Sequence, residues 1–155
     1  MVTGIGVDLC SIDRMKKALL SEYFRNEIFS PEEISYCEAK GEGRYESYAA
    51  GFAVREAFVK ASGKTLLSVM LGGNFALIRT DGAPEIKLSG DLVIPSVKIF
   101  VSITHERGLA LAMVVIERKE NNNDNRHKRC KYDIIKSRKH NRCRFHSSAC
   151  AFVSN

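Results

Sequence analysis

The chain has no stretch approaching the roughly 20 apolar residues of a membrane span. Its first nine residues, Met1 to Leu9, carry no basic cluster ahead of an apolar run, so no signal peptide is predicted. No Cys-x-x-Cys pair occurs, and the five cysteines are odd in number. Without a secretory signal, that pattern predicts reduced thiols in a cytoplasmic protein rather than a disulfide framework. No repeat recurs at a fixed period. What remains is 155 residues, 45% hydrophobic and 27% charged. This is the composition of one ordinary globular domain, large enough to bury a core without metal or disulfide staples.

Charge imbalance is missing from most of the chain as well. Residues 1–119 hold 15 basic and 15 acidic side chains; residues 120–155 hold 9 and 3, and so carry the whole net charge of +6. The polar run Asn121 to Asn125 marks the change, and few apolar residues follow it. The expected organisation is a domain over 1–119 and a basic, disordered tail over 120–155. Two other readings of the tail are a zinc site using Cys143, His146 and Cys150 with Cys130 or His140, and an electrostatic tether to an acidic carrier or RNA.

The body reads as mixed α and β. Val2 to Asp8 alternates as a strand, with Ile5 and Val7 on one face and Gly4, Gly6 and Asp8 on the other. Ser11 caps a helix to about Leu20 with Ile12, Met15 and Leu19 inward. Ser30-Pro31-Glu32-Glu33 is a capping box with proline at the first helical position, opening a helix that fades near Gly41. The longest helix is expected over Arg44 to Ser62, stopped by Gly63. Strands are expected over Phe75 to Thr80 and Glu85 to Leu88, around the turn Asp81 to Pro84. Two more are expected over Val97 to Thr104 and Leu109 to Glu117, joined by a turn that holds His105.

Three residues stand out chemically. Asp8 ends a strand on the glycine face, where the missing side chains leave room for a ligand or metal; the plain alternative is that it caps the next helix. Glu56 falls on a stripe formed by Tyr45, Ala49, Phe52, Val59 and Gly63, and an inward carboxylate needs a partner, a metal or a proton. Lys60 follows Glu56 by four residues, which also fits an ordinary helical ion pair. His105 follows an apolar strand, and a solvated or structural histidine is the plain reading. Together Asp8 and Glu56 offer two oxygens to a hard cation such as Mg²⁺, with Lys60 placed to reach the same phosphates.

Four segments in order resemble the holo-acyl-carrier-protein synthases of the phosphopantetheinyl transferase family: Gly4-Ile-Gly-Val-Asp-Leu9, Phe29-Ser-Pro-Glu-Glu33, Phe52-Ala-Val-Arg-Glu-Ala-Phe-Val-Lys-Ala61 and Val101-Ser-Ile-Thr-His105. The resemblance implies a small α+β fold, an antiparallel sheet of three or more strands with a long helix packed on it, assembled as a homotrimer with sites between subunits. It implies Mg²⁺ at Asp8 and Glu56, and coenzyme A contacts from Lys60, His105 and Arg44. It further implies an acidic apo-acyl carrier protein docked on Arg14, Lys17 and Arg25, and a place in fatty acid biosynthesis. Two departures stand out: Arg55 where the family often has Lys, and Ala50-Gly51 where it often has Gly-Arg, which predicts a nucleotide site short of one cation.

The implied reaction transfers phosphopantetheine from coenzyme A to a carrier serine and releases adenosine 3′,5′-bisphosphate. Mg²⁺ and Lys60 would stabilise charge on the pyrophosphate, and Glu56, directly or through a water, is the candidate general base. The alternatives are a nucleic-acid-binding protein acting through the basic tail, which the neutral body and the tail's lack of interleaved aromatics disfavour, and a catalytically inactive family member. No membrane partner is expected.

Overall fold

The computed structural model describes residues 1–80 and 83–119. The readings of 120–155 as a basic tail or zinc site, and of Asp81 and Gly82 as a turn, lie outside the described residues. The order is β1 (Val2–Ser11), α1 (Ile12–Ala18), α2 (Glu22–Ile28), α3 (Pro31–Glu38), α4 (Arg44–Ser62), α5 (Leu66–Met70), β2 (Phe75–Ile78), β3 (Glu85–Leu88), β4 (Val97–Glu106) and β5 (Leu109–Arg118). One antiparallel sheet has the order β1-β5-β4, and β2 and β3 pair as a separate hairpin. The fold is α+β, as expected.

Period-2 alternation decides which face of the sheet is buried. On β5, Ala110, Ala112, Val114 and Ile116 are buried, while Leu109 and Met113 are exposed. Register puts Gly6 of β1 and Val101 of β4 beside Val114, and Asp8 and Ile103 beside Ala112. Helix α4 lies on this inner face. It closes on Gly63 in the left-handed conformation (φ 70°), where glycine bears no steric cost. The hairpin between β4 and β5 turns on Arg107 and Gly108, both at positive φ, which matches the twist of the flanking strands.

The structure revises several expectations. Gly4 and Gly6 admit the backbone of α4, not a ligand: a Cβ at either position would collide with the carbonyl of Ala61 or Ala57. The stripe through Tyr45, Phe52, Glu56 and Val59 is the half-buried edge of α4. Its deepest side chains are Tyr48, Ala49, Ala53, Val54, Arg55, Ala57 and Phe58. Small residues on that inner side bring helix and sheet together, and a pattern read by hydrophobicity alone favours the larger residues at the edge. His105 is in strand β4, not in a turn. Helix α1 stops at Ala18 and α3 at Glu38, both earlier than expected; β2 stops at Ile78, and α2 and α5 went unread. Both of the missed helices are short, seven and five residues, and each is opened by a side-chain cap, at Ser21 and Thr65.

Candidate active site

The close approach of α4 to β1 brings three charged side chains together. Lys60 Nζ donates to Asp8 Oδ1 at 2.7 Å and to the Val7 carbonyl at 2.9 Å. The Asp8 side chain is 10% exposed and that of Lys60 53%, so an ammonium reached from solvent covers one oxygen of a buried carboxylate. The other oxygen, Oδ2, is buried and receives no hydrogen bond. Asp8 is not a helix cap, since Ser11 caps α1. Nor is Lys60 the i+4 ion-pair partner of Glu56: its salt bridge is across to the strand.

Glu56 completes the group. Burial first, and then the adjacent Asp8, hold its carboxyl above the usual carboxylate range, while Lys60 and Arg14 pull the other way. With both groups ionised, Asp8 Oδ2 lacks a donor; a proton on Glu56 supplies one. The arrangement is therefore built for one positive charge between two carboxylates, either a proton or a hard cation. No group of three or more His, Cys, Asp or Glu side chains gathers among the described residues. A donor set of two carboxylates leaves room for water and phosphate oxygens, which suits Mg²⁺.

Glu56 and Arg14 line a cavity of about 210 Å³ walled by Leu9, Met15, Phe24 and Phe52. Cys10 also lines it, but burial, and then the charge of Glu56, push its thiol up to about 11. Such a thiol is a poor nucleophile at neutral pH.

The other expected residues are distributed differently. His105 lies on the inner sheet face, in register with Ala110 and Cys10. It faces a second cavity, of about 270 Å³, with Glu46, Ser47, Arg79, Thr80 and Pro84. Its Nδ1 is 3.6 Å from a Glu46 carboxylate oxygen. Helical spacing puts residues 46, 47 and 50 on the opposite flank of α4 from 52 and 56, so His105 and Glu56 line separate cavities. Arg44 lines neither cavity; it binds Glu38 (3.2 Å) and the Tyr45 hydroxyl (2.9 Å). Arg25 also approaches Glu38, at 3.9 Å. Arg14 and Lys17 are exposed on α1, with Arg14 at the rim of the Glu56 cavity. Sequence reasoning passed over Arg79 altogether. The available signal was Gly51, a glycine inside a helix, which marks a close approach by something else.

The sequence matches the family profile described as the 4′-phosphopantetheinyl transferase superfamily over residues 4–114. It is 38% identical over 122 residues to the holo-[acyl-carrier-protein] synthase of Thermodesulfovibrio yellowstonii, spanning 75% of this chain and 99% of that one. It is 36% identical over 129 residues to the same-named protein of Cytophaga hutchinsonii, spanning 76% and 99%. Among solved structures, the holo-(acyl-carrier-protein) synthase from Bacillus anthracis in complex with CoA (3′,5′-ADP) matches with a TM-score of 0.65 at 28% identity, over 77% of this chain and 99% of that one.

Proposed function

This chain belongs to the 4′-phosphopantetheinyl transferase superfamily, and from that premise we propose that it transfers phosphopantetheine from coenzyme A to a serine of an apo-acyl carrier protein, with Mg²⁺, releasing adenosine 3′,5′-bisphosphate. The observation that carries the metal-dependent reading is the buried, donorless Oδ2 of Asp8 beside Glu56. Asp8 and Glu56 would hold the magnesium ion, which when bound offsets charge on the coenzyme A diphosphate.

The chain's own residues account for the rest. Lys60, on a half-exposed stem, can swing its ammonium from Asp8 to a phosphate oxygen and stabilise the charge that grows there. Glu56, with its raised carboxyl, is suited to accept the serine proton. The apolar cavity beside it can shelter the pantetheine arm from water. Arg14 and Lys17, exposed at that cavity's rim and beyond, offer positive charge to an acidic carrier.

A homotrimer with shared sites fits two features. The outer sheet face exposes Ile5 (63%), Leu9 (58%) and Phe100 (51%), a patch that self-association would cover. The Asp8–Glu56 group and the His105 cavity lie on opposite flanks of α4, so neighbouring subunits can each contribute half of a site. A cytoplasmic setting fits the free thiols of Cys10 and Cys37. No helix among the described residues is long and apolar enough to cross a membrane.

The test is incubation of the full chain with coenzyme A and an apo-acyl carrier protein, with Mg²⁺ or with a chelator. The expected result is a carrier heavier by one phosphopantetheine, an equivalent amount of adenosine 3′,5′-bisphosphate, and neither product under chelation. A carrier of unchanged mass at saturating Mg²⁺ would show an inactive family member.

A further inference from the structure

Lys60 is held more firmly than a solvent-facing lysine usually is. Its ammonium has two acceptors on β1, Asp8 Oδ1 at 2.7 Å and the Val7 carbonyl at 2.9 Å, although its side chain is 53% exposed. The backbone packing fixes this pair. A Cβ at Gly6 would stand 1.9 Å from the Ala57 carbonyl oxygen and 2.8 Å from the Ala61 amide, so the turn of α4 that carries Lys60 lies directly on the strand that carries Asp8. Asp8 in turn depends on that ammonium, because its other oxygen is buried with no donor.

Charge decides what such a pair does to a metal site. Glu56 lies close enough to feel both Asp8 and Lys60. With both carboxylates ionised, the ammonium cancels half of the negative charge that a divalent cation would meet. It also repels the cation directly. Yet the ammonium is free to leave, since it rides on a flexible four-carbon stem with half of the side chain in solvent. A diphosphate arriving beside Asp8 and Glu56 offers it anionic oxygens in exchange for Asp8. Both carboxylates are then released just when phosphate oxygens become available as further ligands.

We propose that Lys60 is an internal counter-ion that gates the metal site: it holds down the affinity of the free chain for Mg²⁺, and coenzyme A raises that affinity by drawing the ammonium onto its diphosphate. This rests on the transfer reaction proposed above. Linkage makes the effect reciprocal, so Mg²⁺ raises the affinity for coenzyme A by the same factor. The two carboxylates are thereby kept from filling with divalent cations while no substrate is present. A cation that merely bridged carboxylates and phosphates would also couple the two ligands, but it would do so without Lys60. What happens to Mg²⁺ binding when Lys60 loses its charge separates the two cases.

The experiment titrates Mg²⁺ calorimetrically into the full chain and into Lys60→Gln, without and with saturating coenzyme A, and titrates coenzyme A into both in the presence of a chelator. Neutralising Lys60 should tighten Mg²⁺ binding by the free chain about tenfold and weaken coenzyme A binding under chelation about tenfold. Those opposite signs are not what a packing role produces. The factor by which coenzyme A strengthens Mg²⁺ binding should shrink accordingly. Lys60→Arg keeps the charge and should bind Mg²⁺ within about threefold of the unaltered chain. If Lys60→Gln does not fold, nuclear magnetic resonance on the unaltered chain carries the test. The coupling across the hydrogen bond from Lys60 Nζ to the Asp8 carboxylate should vanish when coenzyme A is added under chelation. A coupling that persists, or a Mg²⁺ affinity that falls or stays level in Lys60→Gln, would overturn the gate. If the unaltered chain neither binds coenzyme A nor transfers phosphopantetheine, the proposed function itself fails. If it does both and the Mg²⁺ affinities do not move as stated, this inference alone fails.

Discussion

Two ion pairs on the same helix have the same length and opposite characters. Arg55 meets Glu33 at 2.7 Å with both side chains sealed from water, 0% and 2% exposed. Lys60, little more than one turn later, meets Asp8 at 2.7 Å with its own side chain 53% exposed. In the first pair both carboxylate oxygens are matched by the two guanidinium nitrogens (2.8 and 2.7 Å), the Gly51 carbonyl takes a further bond, and the rings of Phe29 and Phe75 close over the group. In the second, one carboxylate oxygen is left without a donor. Distance alone does not separate the two pairs; what does is whether both carboxylate oxygens have donors, since Arg55 Nε too is buried without a partner. A sealed bidentate pair holds α3 against α4, whereas the open one leaves a carboxylate oxygen with no donor.

The largest expected effect breaks the open pair. Asp8→Ala and Glu56→Ala should each lower transfer at least about a thousandfold, roughly 4 kcal/mol of transition-state stabilisation, while melting temperature changes little because Lys60 can turn to water. Steady-state assays over a range of Mg²⁺ check this, and near-normal turnover of either variant at low Mg²⁺ would rule out a metal shared between the two.

Breaking the sealed pair should do the reverse. Arg55→Ala leaves Glu33 buried without its cation, which costs on the order of 3–5 kcal/mol. Urea unfolding should show that loss in full, and any soluble fraction should still transfer at a rate close to normal. A mild effect on stability with a severe one on turnover would mean the two pairs have been assigned the wrong way round.

How far the sequence led can be judged from these same residues. The carboxylates were legible, since Asp8 ends a strand pattern and Glu56 interrupts an apolar stripe. The capping box at Ser30–Glu33 was legible too, and both its hydrogen bonds form. The second use of Glu33, as the partner of Arg55 22 positions on, was not, because local pattern carries no information about which helices meet. The glycines of β1 were noticed for the right reason, close approach, but helix α4 is what approaches. The two strands β4 and β5 were legible from alternation and a glycine turn, but the turn is shorter than expected, since His105 and Glu106 belong to β4. Helices α2 and α5 escaped because seven- and five-residue helices carry too little periodicity to read. Arg79 escaped because what it approaches, Gly51 and the Ser47 carbonyl of α4, comes near only after β2 has packed against that helix.

Around the open pair, surface charge should act on the carrier and not on coenzyme A. Reversing Arg14 and Lys17 to glutamate should raise the carrier's KM about tenfold and flatten its salt dependence, with KM for coenzyme A unchanged. An unaltered carrier constant would move docking away from α1. A smaller effect comes from a buried thiol. Cys37, beside the sealed pair, has its thiol pushed up to about 11, chiefly by burial. The folded state then binds more protons than the unfolded one between about pH 9 and 11, so stability present below pH 9 declines across that window, by on the order of 1–3 kcal/mol. Urea midpoints at pH 8 and 10.5 should show the decline, and Cys37→Ala should reduce it.

The smallest expected effect lies farthest from both pairs. A chain ended after Glu120 should match the full chain in melting temperature within about 2 °C and in turnover within about twofold. The described domain closes on itself before that point. Strand β5 pairs on both sides, the Arg118 amide donates to the Met1 carbonyl at 2.9 Å, and the Lys119 amide donates to the Ser96 carbonyl at 2.7 Å. Among the described residues, both ion pairs and the walls of both cavities beside α4 come from positions 8 to 105. What the shortened chain loses is nine basic and two acidic side chains, and distributed charge acts through encounter rates and screening more than through fold. If residues 120–155 tether an acidic carrier, removing them raises the carrier's KM at low salt and leaves kcat alone. If their cysteines and histidines hold zinc that supports the fold, a chelator lowers the melting temperature of the full chain and not of the shortened one. A loss of kcat or of melting temperature on truncation, with no effect of chelator, would show that the domain does not end where β5 does.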